Sequence, residues 1–262
     1  MPPFWHLAIE CSANGGSVAL LKNSHLEALP VRHGQTILPA DRGSVRTLAP
    51  AIDALLRQAQ LRSGDLKFIS VTVGPGSFTG LRVGLATAKM LAMASRIPIA
   101  PVDTLAAIAR RFAVEQGSKL TEAVRLVTAI NAFRKQVFTA SWTISGSSVS
   151  NMRQSSVVDL SVWREDPWGV DVPKSPTTSD NKDNRSTDAI EIWLSGPALD
   201  LTSVSTDVQT LYRTAEANIW QPLAEQVGVL GWETYLQGGA VSAGDLVPNY
   251  IRASAAEEKL RA

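Results

Sequence analysis

Residues 69–94 constrain the chain more than any other stretch, because its physical character changes twice within them. Ile69, Val71 and Val73 alternate with Ser70 and Thr72 as a half-buried strand does, and Gly74-Pro75-Gly76-Ser77 then breaks the extended run. From Thr79 the pattern is helical, and the hydroxyl of Ser77 or Thr79 suits a cap for its first turn. Gly80, Gly84 and Ala88 recur every four residues and strip side chains from one face of that helix, so that another backbone can approach closely. Leu81, Val83, Leu85, Met90, Leu91 and Met93 occupy the rest, with Arg82 and Lys89 as the charges. A helix this apolar is buried on more than one side, inside its own domain or against a partner.

Counting excludes the nucleotide motifs that such a turn suggests. Walker A requires a glycine, four residues and then Gly-Lys-Ser/Thr, whereas five residues separate Gly74 from Gly80 and Leu81 follows. The dinucleotide fingerprint requires glycine at Thr79, and the nucleophile elbow requires glycine at Pro75 and Thr79. Two readings of Gly74, Gly76 and Ser77 remain. One is a tight turn that lets strand and helix pack closely; the other is a set of backbone amides gathered around an anion at a helix N-terminus.

A formal net charge of +1 over 262 residues gives no global attraction to nucleic acid, so direct contact with RNA would need a local patch. With 45% hydrophobic and 19% charged residues the chain is globular, and its length allows one large domain or two small ones. The single cysteine, Cys11, excludes an internal disulfide and a cysteine-based metal cluster. His6, His25 and His33 lack metal-ligand spacing of the His-Glu-x-x-His kind. The N-terminus lacks the basic start and long apolar run of a signal peptide, and no run of about 20 apolar residues could span a membrane. A cytoplasmic protein is expected.

Residues 5–11 read as a buried strand, followed by an Asn14-Gly15-Gly16 hairpin, a second strand over 17–21 and a third near 26–31. An acid and a hydroxyl at a strand end before a glycine hairpin, here Glu10-Cys11-Ser12, also open actin- and hexokinase-like ATPases. In those folds the acid handles metal-bound water and the turn approaches phosphates. Residues 34–44 read as a loop, after which Leu48, Ile52, Leu55 and Ala59 trace one face of a helix that Pro50 starts or kinks. Residues 97–102, with Pro98 and Pro101, suit a short or edge strand, and Asp103 caps a helix to about Glu115. Segments 124–130 and 136–144 are β-rich, 157–164 is ambiguous, and 165–188 is a polar run expected to form a mobile surface insertion. A strand over 190–194 runs into Ser195-Gly196-Pro197, and a last helix spans about 218–237.

Strands with crossing helices and a second β-rich start argue for an α/β protein of two similar lobes. The N-terminal lobe covers 1–104, with a C-terminal helix of about 216–237 packing back on it; the C-terminal lobe covers 105–215 and contains the insertion.

The sixteen residues from Gly74 to Lys89 resemble, without a break, the signature of the TsaB (YeaZ) family, the accessory subunit in bacterial synthesis of threonylcarbamoyladenosine in tRNA. Pro101-Val102-Asp103-Thr104-Leu105, Leu194-Ser195-Gly196-Pro197 and Pro248-Asn249-Tyr250-Ile251-Arg252 are similar in order and spacing. The resemblance implies the two-lobed actin-like ATPase (ASKHA, ribonuclease H-like) fold. It also implies a non-catalytic subunit that works with the catalytic homologue TsaD, and with TsaE, in transferring a threonylcarbamoyl group to the adenosine beside the tRNA anticodon. The family opens with Asp-Thr-Ser where this chain has Glu10-Cys11-Ser12, and commonly has His-Ser where this chain has Gly43-Ser44. Its Asp-Ala-Arg-x-Gly-Glu-Val-Tyr run is here Asn131-Ala132-Phe133-Arg134-Lys135-Gln136-Val137-Phe138. These departures weigh against nucleotide or metal chemistry by this chain and leave the packing residues intact.

The residues support two functional readings. In the first, helices at about 48–61 and 79–94 form an intermolecular bundle with the catalytic homologue through Leu48, Ile52, Leu55, Gly80, Leu81, Arg82, Gly84, Leu85 and Ala88. Alone, the same apolar face would favour a homodimer, and tRNA would be met only through the complex. In the second, the chain is an autonomous ATPase or peptidase-like enzyme acting through Glu10. Glu10, Ser12, Gly74, Gly76 and Ser77 form the candidate nucleotide or anion loop, with ATP and Mg²⁺ as cofactor candidates for the complex rather than for the chain alone.

Overall fold

Phe4–Glu10 (β1) buries side chains on both faces, Leu7 and Ile9 on one and His6 and Ala8 on the other, because it is the central strand of a sheet covered on both sides. In the computed structural model, which describes residues 3–13, 15–26, 28–40, 44–167, 190–201 and 212–251, β1 pairs antiparallel with Ser17–Asn23 (β2) and parallel with Leu66–Gly74 (β4). Val31–Ile37 (β3) and Ile99–Asp103 (β5) complete the order β3-β2-β1-β4-β5. Leu7, Ile9, Val18, Leu20, Ile69 and Val71 form one core with Ser44–Gln58 (α1) and Phe78–Ser95 (α2).

Thr104–Gln116 (α3) leads out of this sheet, capped by Asp103, whose Oδ1 accepts from Ala106 N at 2.9 Å. The second sheet consists of Val124–Phe133 (β6), Gln136–Ser145 (β7), Ser148–Asp159 (β8), Ile192–Ser195 (β9) and Arg213–Thr214 (β10), in the order β10-β9-β6-β7-β8. Pairings β6–β7 and β7–β8 are antiparallel, β6–β9 and β9–β10 parallel. Strand for strand this repeats the first sheet, with the same connectivity and the same pairing senses, so the chain has the two-lobed actin-like fold. Leu160–Glu165 (α4) buries Trp163 in the second lobe. Ala224–Leu236 (α5) returns to the first lobe, where Ala224 and Val227 cover Ala8, Ala19 and Leu21.

Helix α3 lies in the seam. Leu105, Ile108 and Phe112 join the core of the second sheet, while Ala107 meets the α5 side of the first. Beside it, Ser155 on β8 donates to Asp103 Oδ2 at 3.0 Å, a polar link between the lobes, and burial pushes the Asp103 carboxyl above its ordinary range.

Three boundaries differ from expectation. Strand β3 runs over Val31–Ile37 instead of 26–31, because an edge strand with Arg32, His33, Gln35 and Thr36 has the polarity of a loop. Helix α1 begins at Ser44 and contains Pro50, which lies on the exposed side, where water can take the carbonyl that loses its donor. Helix α5 starts at Ala224, after a 3₁₀ turn at Ala217–Ile219, because Pro222 disfavours helical backbone just before it. Asn14, Arg252 and all but residues 165–167 of the 165–188 segment lie outside the described residues. Among the described residues no helix is long and apolar enough to cross a membrane.

Candidate functional site

Glu10 ends β1 fully buried, and its Oε1 accepts hydrogen bonds from Ser12 N at 2.6 Å, Ser12 Oγ at 2.5 Å and Ala13 N at 3.3 Å. Burial pushes its pKa up to about 7, against the opposing pull of those three donors. The β4–α2 turn closes on the same point. Ser77 N donates to Ser12 O at 2.7 Å, and Ser77 Oγ accepts from Gly80 N to cap α2. A Cβ on Gly76, which sits at φ +156°, would stand 2.3 Å from Ser12 O, and one on Gly80 would stand 1.9 Å from Cys11 O. The tail seals the other side, with Asn249 N donating to Val73 O at 2.7 Å. A Cβ on Gly74 would stand 2.8 Å from Asn249 O.

The actin-like fold implies a nucleotide with Mg²⁺ near this strand end, and the residues present do not fit one. Ser12 N and Ala13 N are taken by the Glu10 carboxyl, and Ser77 N is taken by Ser12 O. These three amides are thus engaged within the protein. The residues of the expected anion loop, Glu10, Ser12, Gly74, Gly76 and Ser77, come together as a tight turn against the strand end, and its glycines allow close backbone contact. Among the described residues, no three of His, Cys, Asp and Glu come together to hold a metal.

The helices behind the turn present a different face from the one expected. Leu48, Ile52 and Leu55 of α1, and Leu81, Gly84, Leu85 and Ala88 of α2, are buried in the chain's own core. Gly84 packs on Cys11 and Ile9 and half-buried Gly80 on Cys11, so the four-residue spacing of small residues brings α2 close to β1 and not to a partner. Of the residues expected to meet a partner, only Arg82 is exposed. The opposite row of α2, Phe78, Arg82, Ala86 and Met90, also repeats every four residues and faces outward together with Met93. Met90 is 69% exposed and Met93 70%. The adjoining α1 adds exposed Ala49, Pro50 and Ala54. At the N-terminal end of the row the Arg82 guanidinium lies 3.8 Å from the centre of the Phe78 ring, which sits 5.5 Å from the Tyr250 ring. Both rows of α2 are legible in the sequence, but spacing alone does not say which of them faces the sheet. Tyr250 carries no sequence signal for this place, since the fold brings it there from the tail.

The profile of the family described as "TsaD: tRNA N6-adenosine threonylcarbamoyltransferase" matches residues 34–260. The chain belongs to this family. A tRNA threonylcarbamoyladenosine biosynthesis protein TsaB from Buchnera aphidicola is 29% identical over 143 residues, 55% of this chain and 59% of that protein. The TsaB of Haemophilus influenzae is 31% identical over 135 residues, 50% of this chain and 51% of that one. A tRNA N6-adenosine threonylcarbamoyltransferase from Streptococcus equi is 36% identical over 110 residues, 38% of this chain and 32% of that protein. The chain thus spans less than two-thirds of the length of each of these relatives. Among solved structures, YeaZ from Pseudomonas aeruginosa matches with a TM-score of 0.67 at 24% identity, covering 94% of this chain and 99% of that one. Within the family, the chain is similar in sequence to TsaB proteins over about half of its length, and in fold to YeaZ over nearly all of it.

Proposed function

We propose that this chain is a non-catalytic subunit in tRNA threonylcarbamoyladenosine biosynthesis. It binds and activates a catalytic TsaD-type homologue, together with a TsaE-type ATPase, for threonylcarbamoyl transfer to the adenosine beside the anticodon. The observation that carries this reading is the outward row of α2. Two methionines about 70% exposed on a well-packed helix, flanked by Ala86 and by Ala49, Pro50 and Ala54 of α1, form an apolar surface that water does not favour. Methionine side chains adapt to a partner, and Ala86 leaves room for a facing helix. A catalytic homologue with the same fold has an equivalent helix pair to offer, which would complete a four-helix bundle. The chain alone would pair with a second copy through the same row.

The closed turn at Glu10 supports assigning the chemistry to the partner, and with it any ATP and Mg²⁺ that the assembly uses. The test is a reconstituted reaction on tRNA. Addition of this chain should raise the rate of threonylcarbamoyl transfer by the catalytic homologue, with no transfer or ATP turnover by the chain alone. ATP turnover by the isolated chain that Glu10→Gln abolishes would instead establish the autonomous enzyme.

A further inference from the structure

Because the two sheets share one topology, the β6–β7 hairpin of the second lobe is the counterpart of the β1–β2 hairpin of the first. The two close differently. The first uses Gly15 and Gly16, at φ +89° and +94°. The second turns through Phe133, Arg134 and Lys135, at φ +60°, +50° and +61°, without a glycine. Three successive side-chain-bearing residues in the left-handed region are strongly disfavoured, and a two-residue connection such as the one between Phe133 and Gln136 prefers Asn-Gly. The surroundings enforce the shape. Asn131 Oδ1 accepts from Phe133 N at 2.7 Å, and Leu160 N donates to Lys135 O at 2.8 Å. The tip so held presents a Phe133 ring that is 63% exposed, beside exposed Arg134 and Lys135. Strain kept at a surface tip whose side chains contribute little burial points to a use outside the fold.

We infer that this hairpin tip is an RNA contact, in which the Phe133 ring stacks on an unpaired base of the anticodon loop and Arg134 and Lys135 take neighbouring phosphates. An exposed aromatic ring between fixed backbone and two cations is the chemistry by which single-stranded loops are held. The positive charge of Arg134 and Lys135 beside an exposed ring is complementary to a phosphate backbone with unpaired bases, whereas an acidic protein surface would leave the ring unused. In a chain of net charge +1, contact with a polyanion has to come from such a local grouping. The identity of the RNA rests on the reading that the assembly acts on tRNA. The tip itself belongs to the second sheet and shares no residue with the α1–α2 face.

The test titrates tRNA, and separately its anticodon stem-loop, onto the complex of this chain with its catalytic homologue at several salt concentrations. Phe133→Ala should weaken binding about tenfold without altering the salt dependence. Arg134→Asn combined with Lys135→Gly should weaken it at least as much and lower the slope of log K against log salt by about 1.4, or about 0.7 for each phosphate that is no longer neutralised. That double substitution supplies the residues the turn prefers, so its Tm should be held or raised, which separates a binding defect from a folding defect. Unchanged affinity and slope in both variants would overturn the inference. Release of the catalytic homologue in place of RNA would also overturn it, by making the tip a protein-binding element. If the wild-type chain forms no complex, the docking reading fails and the same titration is made on the chain alone. RNA binding that depends on Phe133 would then uphold the tip, and its absence would refute it.

Discussion

Glu10 and His6 are buried in the same strand and titrate in opposite senses. Burial raises Glu10 to about 7, so the stability its protonated form contributes is fully present below its ordinary value of 4.5 and is lost as pH rises through 7. His6 stacks on Phe68 and Trp232 and donates from Nε2 to Gly228 O; burial lowers it to about 3. Its neutral form contributes stability above its ordinary 6.5 that is lost as pH falls toward 3. The two slopes oppose each other between 4.5 and 6.5, and the wild-type profile conceals both. Glu10→Gln isolates one of them. Its unfolding free energy relative to wild type should rise by about 3 kcal/mol from about pH 4.5 to about 7.5 and be level above that, as urea unfolding at a series of pH values would measure. A pH-independent difference would contradict the buried, engaged carboxyl. Gly80→Ala should cost about 2 kcal/mol despite the roughly 1 kcal/mol gain in helix propensity, since its Cβ would meet Cys11 O. The sequence limits these glycines to a tight turn or an anion loop, because both need bare backbone. The choice depends on Ser12, which only the folded chain brings against Ser77.

Helix α2 carries two four-residue rows, and substitutions on them should behave in opposite ways. Met90→Asp and Met93→Asp alter exposed side chains and should leave the unfolding free energy within about 0.5 kcal/mol of wild type. Gly84→Leu drives a branched side chain toward Cys11, whose Cβ already stands 3.2 Å from where a Gly84 Cβ would be, and should cost about 3 kcal/mol in thermal or urea unfolding. The glycine row therefore reports on the core of this chain, and the methionine row on the proposed docking face. Helix α2 and helix α3 with its Asp103 cap are legible in the sequence, because capping and periodicity are local, whereas the choice of Ser77 over Thr79 as the α2 cap is made by the fold. Strand β3 is not, since an edge strand with one wet face has the polarity of a loop. The β6–β7 tip is legible as a change of residue types at Asn131–Phe138, whereas its left-handed backbone is a property of the folded hairpin.

At the scale of the molecule, a second β-rich start after residue 120 is visible in the sequence, but the matching strand orders of the two sheets are not, because they arise from pairings far apart in the chain. The same repetition sets the functional logic. One lobe closes its first hairpin over Glu10 and presents the α1–α2 face, and the other presents the Phe133 tip. Each surface lies on a different lobe, so a partner protein and an RNA could be held at once. The measurement that bears most directly on this account is the affinity of the purified chain for its TsaD-type homologue, wild type against Met90→Asp/Met93→Asp, with Tm recorded for both. A drop of at least about a hundredfold at unchanged Tm is predicted, as for buried anchors at the centre of an interface. Wild-type affinity in the folded double variant would contradict the docking face.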